Sequence, residues 1–210
     1  MISLYSGTPG SGKSLHIAQR IYHGLRYGRP TICNFEINLD NVNKRKKEKL
    51  PFIYCDNLDL TPEYLIKYAK DFFQNKRIKE DSILLVIDEC QLIFNSREWQ
   101  KSGRKEWLSF FSQHRKYGYE IVLVAQFDGM IDRQIRSLIE YNIIHRKASN
   151  FGIVGKIMTL LSFGSLFCAV KIWYPLNERI DSQFFRGNKK YYAIYNTYDF
   201  FTDPSKKEGS

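Results

Sequence analysis

Residues 7–14 read GTPGSGKS, and most of the fold prediction depends on them. They match the phosphate-binding pattern G-x-x-x-x-G-K-[ST], with an apolar segment, ISLYS (2–6), before them and a helical pattern after them. Glycines at these spacings let successive backbone N–H groups face one centre, and a helix N-terminus adds to the field that binds phosphate. The stretch therefore predicts a strand, a phosphate loop and a helix that together hold a nucleotide.

The predicted cofactors are ATP and Mg²⁺. Lys13 would reach the β- and γ-phosphates, and the Ser14 hydroxyl would bind the Mg²⁺ ion. A kinase, a switch protein and a motor all contain such a loop, so the loop alone does not choose among them. The predicted nucleotide contacts within it are Gly7, Thr8, Pro9, Gly10, Ser11, Gly12, Lys13 and Ser14.

A second part of the site is predicted at LLVIDE (84–89). An apolar strand that ends in an acid places Asp88 at the carboxyl edge of a parallel sheet, where ligands bind in such folds. There Asp88 would complete the Mg²⁺ site, and Glu89 could polarise the attacking water. This pair favours NTP hydrolysis over transfer to an acceptor; the alternative is that Glu89 only caps the following turn.

Two more residues are candidates for catalysis. Gln126 ends the apolar strand VLVAQ, where its amide could contact the γ-phosphate or the water, or could simply cap a loop. Arg115 is the favoured candidate among several arginines for a guanidinium donated to a neighbouring subunit, a contribution worth about 10³–10⁵ in rate. Its alternative role is that of an ordinary surface arginine.

Apolar strands alternate with helical patterns up to about residue 147, which predicts an α/β fold with a mostly parallel sheet flanked by helices. We divide the chain into an ATPase core (1–150), a small β-rich hairpin extension (151–203) and a flexible tail (204–210). The helices are expected at 13–27, 61–74, 104–117 and 131–140.

The charge-free apolar run at 157–170 is too short for the roughly 20 residues that span a bilayer. We predict a hairpin that turns at 164–165. The alternative is that 157–176 contacts the membrane or a partner protein.

The chain carries 32 Lys and Arg against 22 Asp and Glu, a formal net charge of +10. Such a charge favours an anionic partner, either nucleic acid or an acidic membrane face. The basic run KRKKEK (44–49) is expected in a solvated loop, with contact to DNA or lipid phosphates as the alternative. No signal peptide is expected before the first strand, and the four separated cysteines indicate reduced thiols, so we expect a cytoplasmic protein.

Taken together, GTPGSGKS (7–14), LLVIDECQ (84–91), HRKYGYEIVLVAQ (114–126) and the tyrosine-rich KKYYAIYNTYDFF resemble the zonular occludens toxin family of filamentous-phage assembly ATPases. More distantly the chain resembles the FtsK–HerA group of ring-forming DNA motors, which implies a RecA/FtsK-like P-loop NTPase core. The resemblance implies a homo-oligomeric ring such as a hexamer, single-stranded phage DNA as the substrate, and phage coat or membrane assembly proteins as partners. It also implies work at the inner face of the cell membrane, although family members contain a transmembrane helix that this sequence does not offer.

The leading hypothesis is therefore a motor that hydrolyses ATP to drive phage assembly and the export of single-stranded DNA. A small-molecule P-loop kinase and a non-catalytic scaffold whose assembly depends on ATP are the alternatives.

Overall fold

The computed structural model describes residues 1–42, 50–95, 103–161 and 165–195. The basic run at 44–49, residue Gly164 and the tail at 204–210 lie outside the described residues. Within the described ranges the strands are β1 (Ile2–Ser6), β2 (Thr31–Cys33), β3 (Phe52–Tyr54), β4 (Ile83–Ile87), β5 (Tyr119–Val124), β6 (Tyr141–Lys147), β7 (Leu166–Trp173) and β8 (Glu178–Arg186). The helices are α1 (Lys13–Arg26), α2 (Pro62–Phe73), α3 (Arg104–Gln113), α4 (Arg133–Arg136), α5 (Gly152–Leu161) and α6 (Lys189–Tyr192).

All these strands form one sheet in the order β3-β2-β4-β5-β1-β6-β7-β8. The first six in that order pair in parallel, and β7 and β8 add an antiparallel edge. The predicted α/β fold with a mostly parallel sheet is thereby confirmed. Strand β5 lies between β1 and β4, so the chain segments that leave these three strands meet at one edge of the sheet.

Both faces of the sheet are buried, as the continuous apolar strands require. In β4, Ile83, Leu85 and Ile87 pack on the face that α2 and α3 cover. Leu84 and Val86 alternate with them and pack on the opposite face, which α1 covers. The two hydrophobic clusters therefore hold the central strands rigidly from both sides.

Helix α2 begins where the sequence offers a cap. Thr61 caps α2 by accepting a hydrogen bond from the Tyr64 backbone N–H, and Pro62 occupies the first turn.

The predicted helix at 131–140 is shorter than expected, because only Arg133–Arg136 is α-helical. Glu140 already donates its backbone N–H to the Ile2 carbonyl, so the chain must be extended by that point.

The predicted hairpin turn at 164–165 is wrong. Residues up to Leu161 belong to α5, and the hairpin lies further on, between β7 and β8. Its turn passes through Asn177, whose φ of 54° is left-handed. Apolar content alone does not separate a helix from a strand, whereas the free edge of β6 offers β7 a partner along its whole length, from Tyr141 to Lys147.

The described part of the chain contains no helix that is both long enough and apolar enough to cross a membrane.

Candidate nucleotide-binding site

The phosphate loop joins β1 to α1 at the carboxyl edge of the sheet. Gly12 has a φ of 98°, and a Cβ on it would come within 2.6 Å of the Phe167 ring. Gly7 has a φ of 141°, and a Cβ there would come within 2.5 Å of the His145 carbonyl oxygen. Neither position accepts a side chain without movement of its neighbours, so these two glycines fix the course of the loop against β6 and β7.

Lys13 folds back over this loop. Its ammonium Nζ donates to the Gly7 carbonyl oxygen at 2.6 Å and to the Thr8 carbonyl oxygen at 3.2 Å. Burial lowers the pKa of Lys13, while the negative charges of Asp88 and Glu89 oppose that shift. A cation therefore faces the centre of the loop, where the phosphates of a nucleotide would lie.

Asp88 directly follows β4, and its backbone is held by a neighbouring side chain. The Asp88 N–H donates to Asn34 Oδ1 at 2.7 Å, and Asn34 Nδ2 donates to the Asp88 carbonyl oxygen at 2.8 Å. Burial raises the pKa of the Asp88 carboxyl, while hydrogen bonds from the Tyr195 hydroxyl and the Glu89 N–H act in the opposite direction. The carboxylate is thus turned towards the phosphate loop rather than towards open solvent.

Asp88 and Ser14 share a neighbour that sequence reasoning missed. The Tyr195 hydroxyl donates to Asp88 Oδ2 in a short hydrogen bond and also interacts with the Ser14 hydroxyl. The single signal for Tyr195 was the tyrosine-rich stretch near residue 191, in which no tyrosine stands out. The structure brings together the two residues predicted to bind metal and adds a phenol between them.

These oxygens suit Mg²⁺, which prefers one or two protein oxygen ligands with the remainder supplied by water and substrate phosphates. The described residues contain no group of three or more His, Cys, Asp and Glu that would form an all-protein metal cage. Ser14 and Asp88 therefore fit a cation that arrives with a nucleotide.

Glu89 follows Asp88 in a left-handed backbone conformation, with a φ of 45° and a ψ of 44°. Its carboxylate is exposed and accepts a short hydrogen bond from the Gln91 side-chain amide. It stands beside the phosphate loop, close enough for its charge to act on Lys13.

Gln126 lies at the same edge of the sheet, between the phosphate loop and Asp88, because β5 separates β1 from β4. It follows β5, and its carbonyl oxygen accepts the Gly7 N–H at 3.2 Å. A cleft of about 550 Å³ opens at this point, and its walls include Gln126, Thr8, Asn142 and Arg146. The predicted position of Gln126 next to the phosphate loop agrees with this geometry.

Arg115 is not brought to the site of its own chain. It precedes β5 and therefore lies at the amino edge of the sheet, opposite the phosphate loop. There its guanidinium Nη2 pairs with Glu140 Oε2 at 2.8 Å, with 54% of the side chain exposed. An action of Arg115 on a neighbouring subunit stays a prediction.

Comparison with known proteins finds similar sequences and a matching family. The sequence model of the family described as "Zonular occludens toxin (Zot)" matches residues 1–198. A Gene 1 protein of Enterobacteria phage I2-2 is 25% identical over 214 residues, which cover 96% of this chain and 57% of that protein. The chain thus spans less than two thirds of the length of such relatives.

Two solved structures share the fold. The N-terminal domain of zonular occludens toxin from Neisseria meningitidis superposes with a TM-score of 0.55 at 18% identity, over 92% of this chain and 97% of that one. The genome packaging NTPase B204 from Sulfolobus turreted icosahedral virus 2, in complex with ATP-gammaS, gives a TM-score of 0.52 at 16% identity, over 88% of this chain and 96% of that one. At such identities the likeness establishes the P-loop NTPase fold.

Proposed function

The chain belongs to the zonular occludens toxin (Zot) family, and we propose that it is a Mg²⁺-dependent ATPase that drives filamentous phage assembly and extrusion. One observation carries the proposal: Lys13, Ser14, Asp88 and Gln126 converge around a single phosphate loop at the carboxyl edge of the sheet. A site built in this way would hold the phosphates and the cation of a nucleoside triphosphate.

The loop from Gly7 to Ser14 would cradle the phosphates through its backbone N–H groups. The Lys13 ammonium donates to two loop carbonyl oxygens. When a nucleotide is bound, it would donate to the β- and γ-phosphate oxygens instead. Ser14 and Asp88 would hold the Mg²⁺ ion, which neutralises charge on the phosphates when it is bound.

We propose that Glu89 and Gln126, which follow the neighbouring strands β4 and β5, both face the γ-phosphate of a bound nucleotide. The Glu89 carboxylate, being exposed, would accept a proton from the attacking water and orient it. The Gln126 amide would orient the same water or the transferring phosphoryl group. Hydrolysis, rather than transfer to a second substrate, is the outcome this pair supports.

ATP hydrolysis would drive the movement of DNA. A net charge of +10 supports an anionic track, because phosphate contacts dominate the binding of single strands. The similarity to the Gene 1 protein of Enterobacteria phage I2-2 supports a phage as the source. We therefore propose that the chain forms a homo-oligomeric ring such as a hexamer and acts on single-stranded phage DNA. Phage coat or membrane assembly proteins would be its partners.

The location proposed is the cytoplasmic face of the inner membrane, with a peripheral contact through residues 157–176. Helix α5 leaves Leu160 and Leu161 more than 70% exposed, and Leu176 is 59% exposed in the turn after β7. Apolar side chains of this kind insert at a headgroup boundary, and the exposed Lys156 adds attraction to anionic lipid.

The test of the proposed function is a single-turnover and steady-state assay with labelled ATP, with and without single-stranded DNA. We expect release of inorganic phosphate that DNA increases. Transfer of the label to a nucleoside or sugar would indicate a kinase instead. Tight ATP binding with no turnover, even with DNA and at high protein concentration, would indicate a scaffold.

A further inference from the structure

The chain that follows β8 forms a strap, residues 188–195, across α1 and the loop after β2. The Tyr191 hydroxyl lies 3.0 Å from His23 Nε2 on α1. Further along, Asn41 Nδ2 donates to the Ala193 carbonyl oxygen at 2.8 Å. The backbone N–H of Asn38 donates to the Ile194 carbonyl oxygen at 3.0 Å. The strap therefore joins α1 to the loop after β2.

The strap is packed as well as hydrogen-bonded. Ile194 is fully buried and Tyr191 is 6% exposed. The Tyr195 ring packs against Phe35 at a centroid distance of 4.9 Å, in an edge-on geometry. These contacts aim the Tyr195 side chain away from solvent and into the site.

At its end the strap brings one hydroxyl to two functional oxygens. The Tyr195 hydroxyl donates to the Asp88 carboxylate and meets the Ser14 hydroxyl. Burial, followed by the charge of Asp88, raises the pKa of the Tyr195 phenol, so its proton stays in place at neutral pH. These are the two oxygens assigned above to the cation.

The Tyr195 hydroxyl and a Mg²⁺ ion would compete for the same position beside Asp88. Mg²⁺ binds an oxygen ligand at about 2.0–2.1 Å and requires near-octahedral geometry. The Tyr195 hydroxyl is hydrogen-bonded to Asp88 Oδ2 and lies close to the Ser14 hydroxyl. It therefore uses an Asp88 oxygen that would otherwise be available to the ion or to a water bound to it.

We infer that Tyr195 is a latch on the nucleotide site: its hydroxyl competes with Mg²⁺ for Ser14 and Asp88, and Mg²⁺–nucleotide binding releases the end of the strap. This inference rests on the proposed function. Linkage makes the effect reciprocal, because any partner that draws the strap away strengthens Mg²⁺–nucleotide binding by the same factor. The Tyr191 anchor keeps the start of the strap on α1 while residues 193–195 move.

The first test measures the affinity for the fluorescent nucleotide mant-ADP, in MgCl₂ and in EDTA. Tyr195→Phe keeps the ring against Phe35 and removes the hydroxyl. We expect it to bind mant-ADP about tenfold more tightly than the wild type in MgCl₂, since hydrogen bonds to a charged group are lost from the closed form. In EDTA, which removes Mg²⁺, Tyr195→Phe and the wild type should bind mant-ADP with equal affinity.

The matched control is Tyr192→Phe, on the same strap with its ring 49% exposed. It should bind like the wild type under both conditions. If Tyr195→Phe instead binds more weakly in MgCl₂, its hydroxyl supports the bound ion and the latch is wrong. If wild-type protein binds no nucleotide at all, the proposed function fails and the latch fails with it.

The second test uses wild-type protein alone, so it does not depend on the folding of a variant. Amide hydrogen exchange in a peptide covering the strap should speed up on addition of Mg²⁺ and mant-ADP, by about fivefold or more. A peptide from β4 should slow down or stay unchanged. Slower exchange in the strap, with binding confirmed, would show that the nucleotide closes the strap and would overturn the latch.

Discussion

The Asn34 side-chain amide is bound to the backbone of Asp88 on both sides: Asn34 Oδ1 accepts the Asp88 N–H at 2.7 Å, and Asn34 Nδ2 donates to the Asp88 carbonyl oxygen at 2.8 Å. Asn34 follows β2, and Asp88 follows the adjacent strand β4. The Asn34 side chain thus takes the place of a backbone partner and extends the hydrogen bonding between β2 and β4 by one residue. The two bonds fix the position of the Asp88 backbone, and therefore of its carboxylate, at the end of β4.

Replacing Asn34 by Ala should therefore lower stability. The change leaves a partly buried N–H and carbonyl of Asp88 without partners, which costs about 1–3 kcal/mol. We expect a lower urea midpoint with an unchanged denaturant slope, together with weaker Mg²⁺–nucleotide binding. Asn57→Ala is the control, since it loses just the bond that Asn34 Nδ2 donates to Asn57 Oδ1 at 2.8 Å. Equal losses in the two variants would contradict the role given to Asn34.

Gly12→Ala should destabilise the protein more than Gly28→Ala. Both glycines have a positive φ, 98° and 74°, so both variants carry a backbone cost of about 1 kcal/mol. A Cβ on Gly12 also clashes with the Phe167 ring, whereas a Cβ on Gly28 meets nothing within 4 Å. The clash should add about 1–3 kcal/mol, measured by urea denaturation. Similar values for the two variants would show that Phe167 gives way freely.

Stability should fall on acidification between pH 7 and pH 5, because of the pair formed by His16, which is half-buried, and His145, which is buried. Their ring nitrogens lie 2.8 Å apart. Burial lowers the pKa of His16 to about 4, with the charge of Arg20 adding to the shift, and lowers the pKa of His145 to about 3, with His16 adding to the shift. An unfolded histidine has a pKa near 6.5, so below that pH the unfolded chain takes up protons that the folded chain excludes.

The measurement is the free energy of unfolding at pH 7 and at pH 5, for the wild type and for His145→Gln. The wild type should lose about 2 kcal/mol per histidine at pH 5, and the variant should lose less because one site is gone. Carboxylates contribute equally to both proteins, so the difference between the two slopes isolates the histidine. Parallel slopes would contradict the pKa shift assigned to His145.

Arg115→Ala should leave nucleotide affinity unchanged and lower ATP turnover of the assembled protein by about 10³-fold, if Arg115 acts on a neighbouring subunit. Its exposed ion pair with Glu140 contributes at most about 1 kcal/mol to stability, so folding should hardly change. Arg146→Ala is the comparison, because Arg146 lines the cleft beside the phosphate loop of its own chain. A loss of turnover in Arg146→Ala but not in Arg115→Ala would transfer the role to Arg146.

Local sequence patterns were sufficient for the phosphate loop and the central strands. GTPGSGKS specifies its backbone through its glycines, and ILLVI in β4 is apolar throughout because both faces of the strand are covered. The order of the strands brought Asp88 and Gln126 to the same edge as the loop. Each of these predictions needed just one segment and the rule that parallel strands share a carboxyl edge.

Other features depend on contacts between distant segments, which no local pattern reports. Tyr195 reaches Asp88 from 107 positions away along the chain. Nothing in its own stretch distinguishes it from Tyr191 or Tyr192. Likewise the apolar run after residue 157 divides between a helix and a strand because β6 has an unpaired edge for β7 to occupy. Pairing of that kind is decided by the rest of the sheet.

The central claim is that this chain hydrolyses ATP with Glu89 as the residue that activates water, and Glu89→Gln tests it most directly. The variant keeps the size of the side chain and removes its basicity, so mant-ADP affinity in MgCl₂ should stay within about threefold of the wild type. Phosphate release should fall by about 10²-fold or more. Glu178→Gln, an exposed position on β8, should behave like the wild type. Turnover of Glu89→Gln within a few-fold of the wild type, with nucleotide binding intact, would contradict the claim.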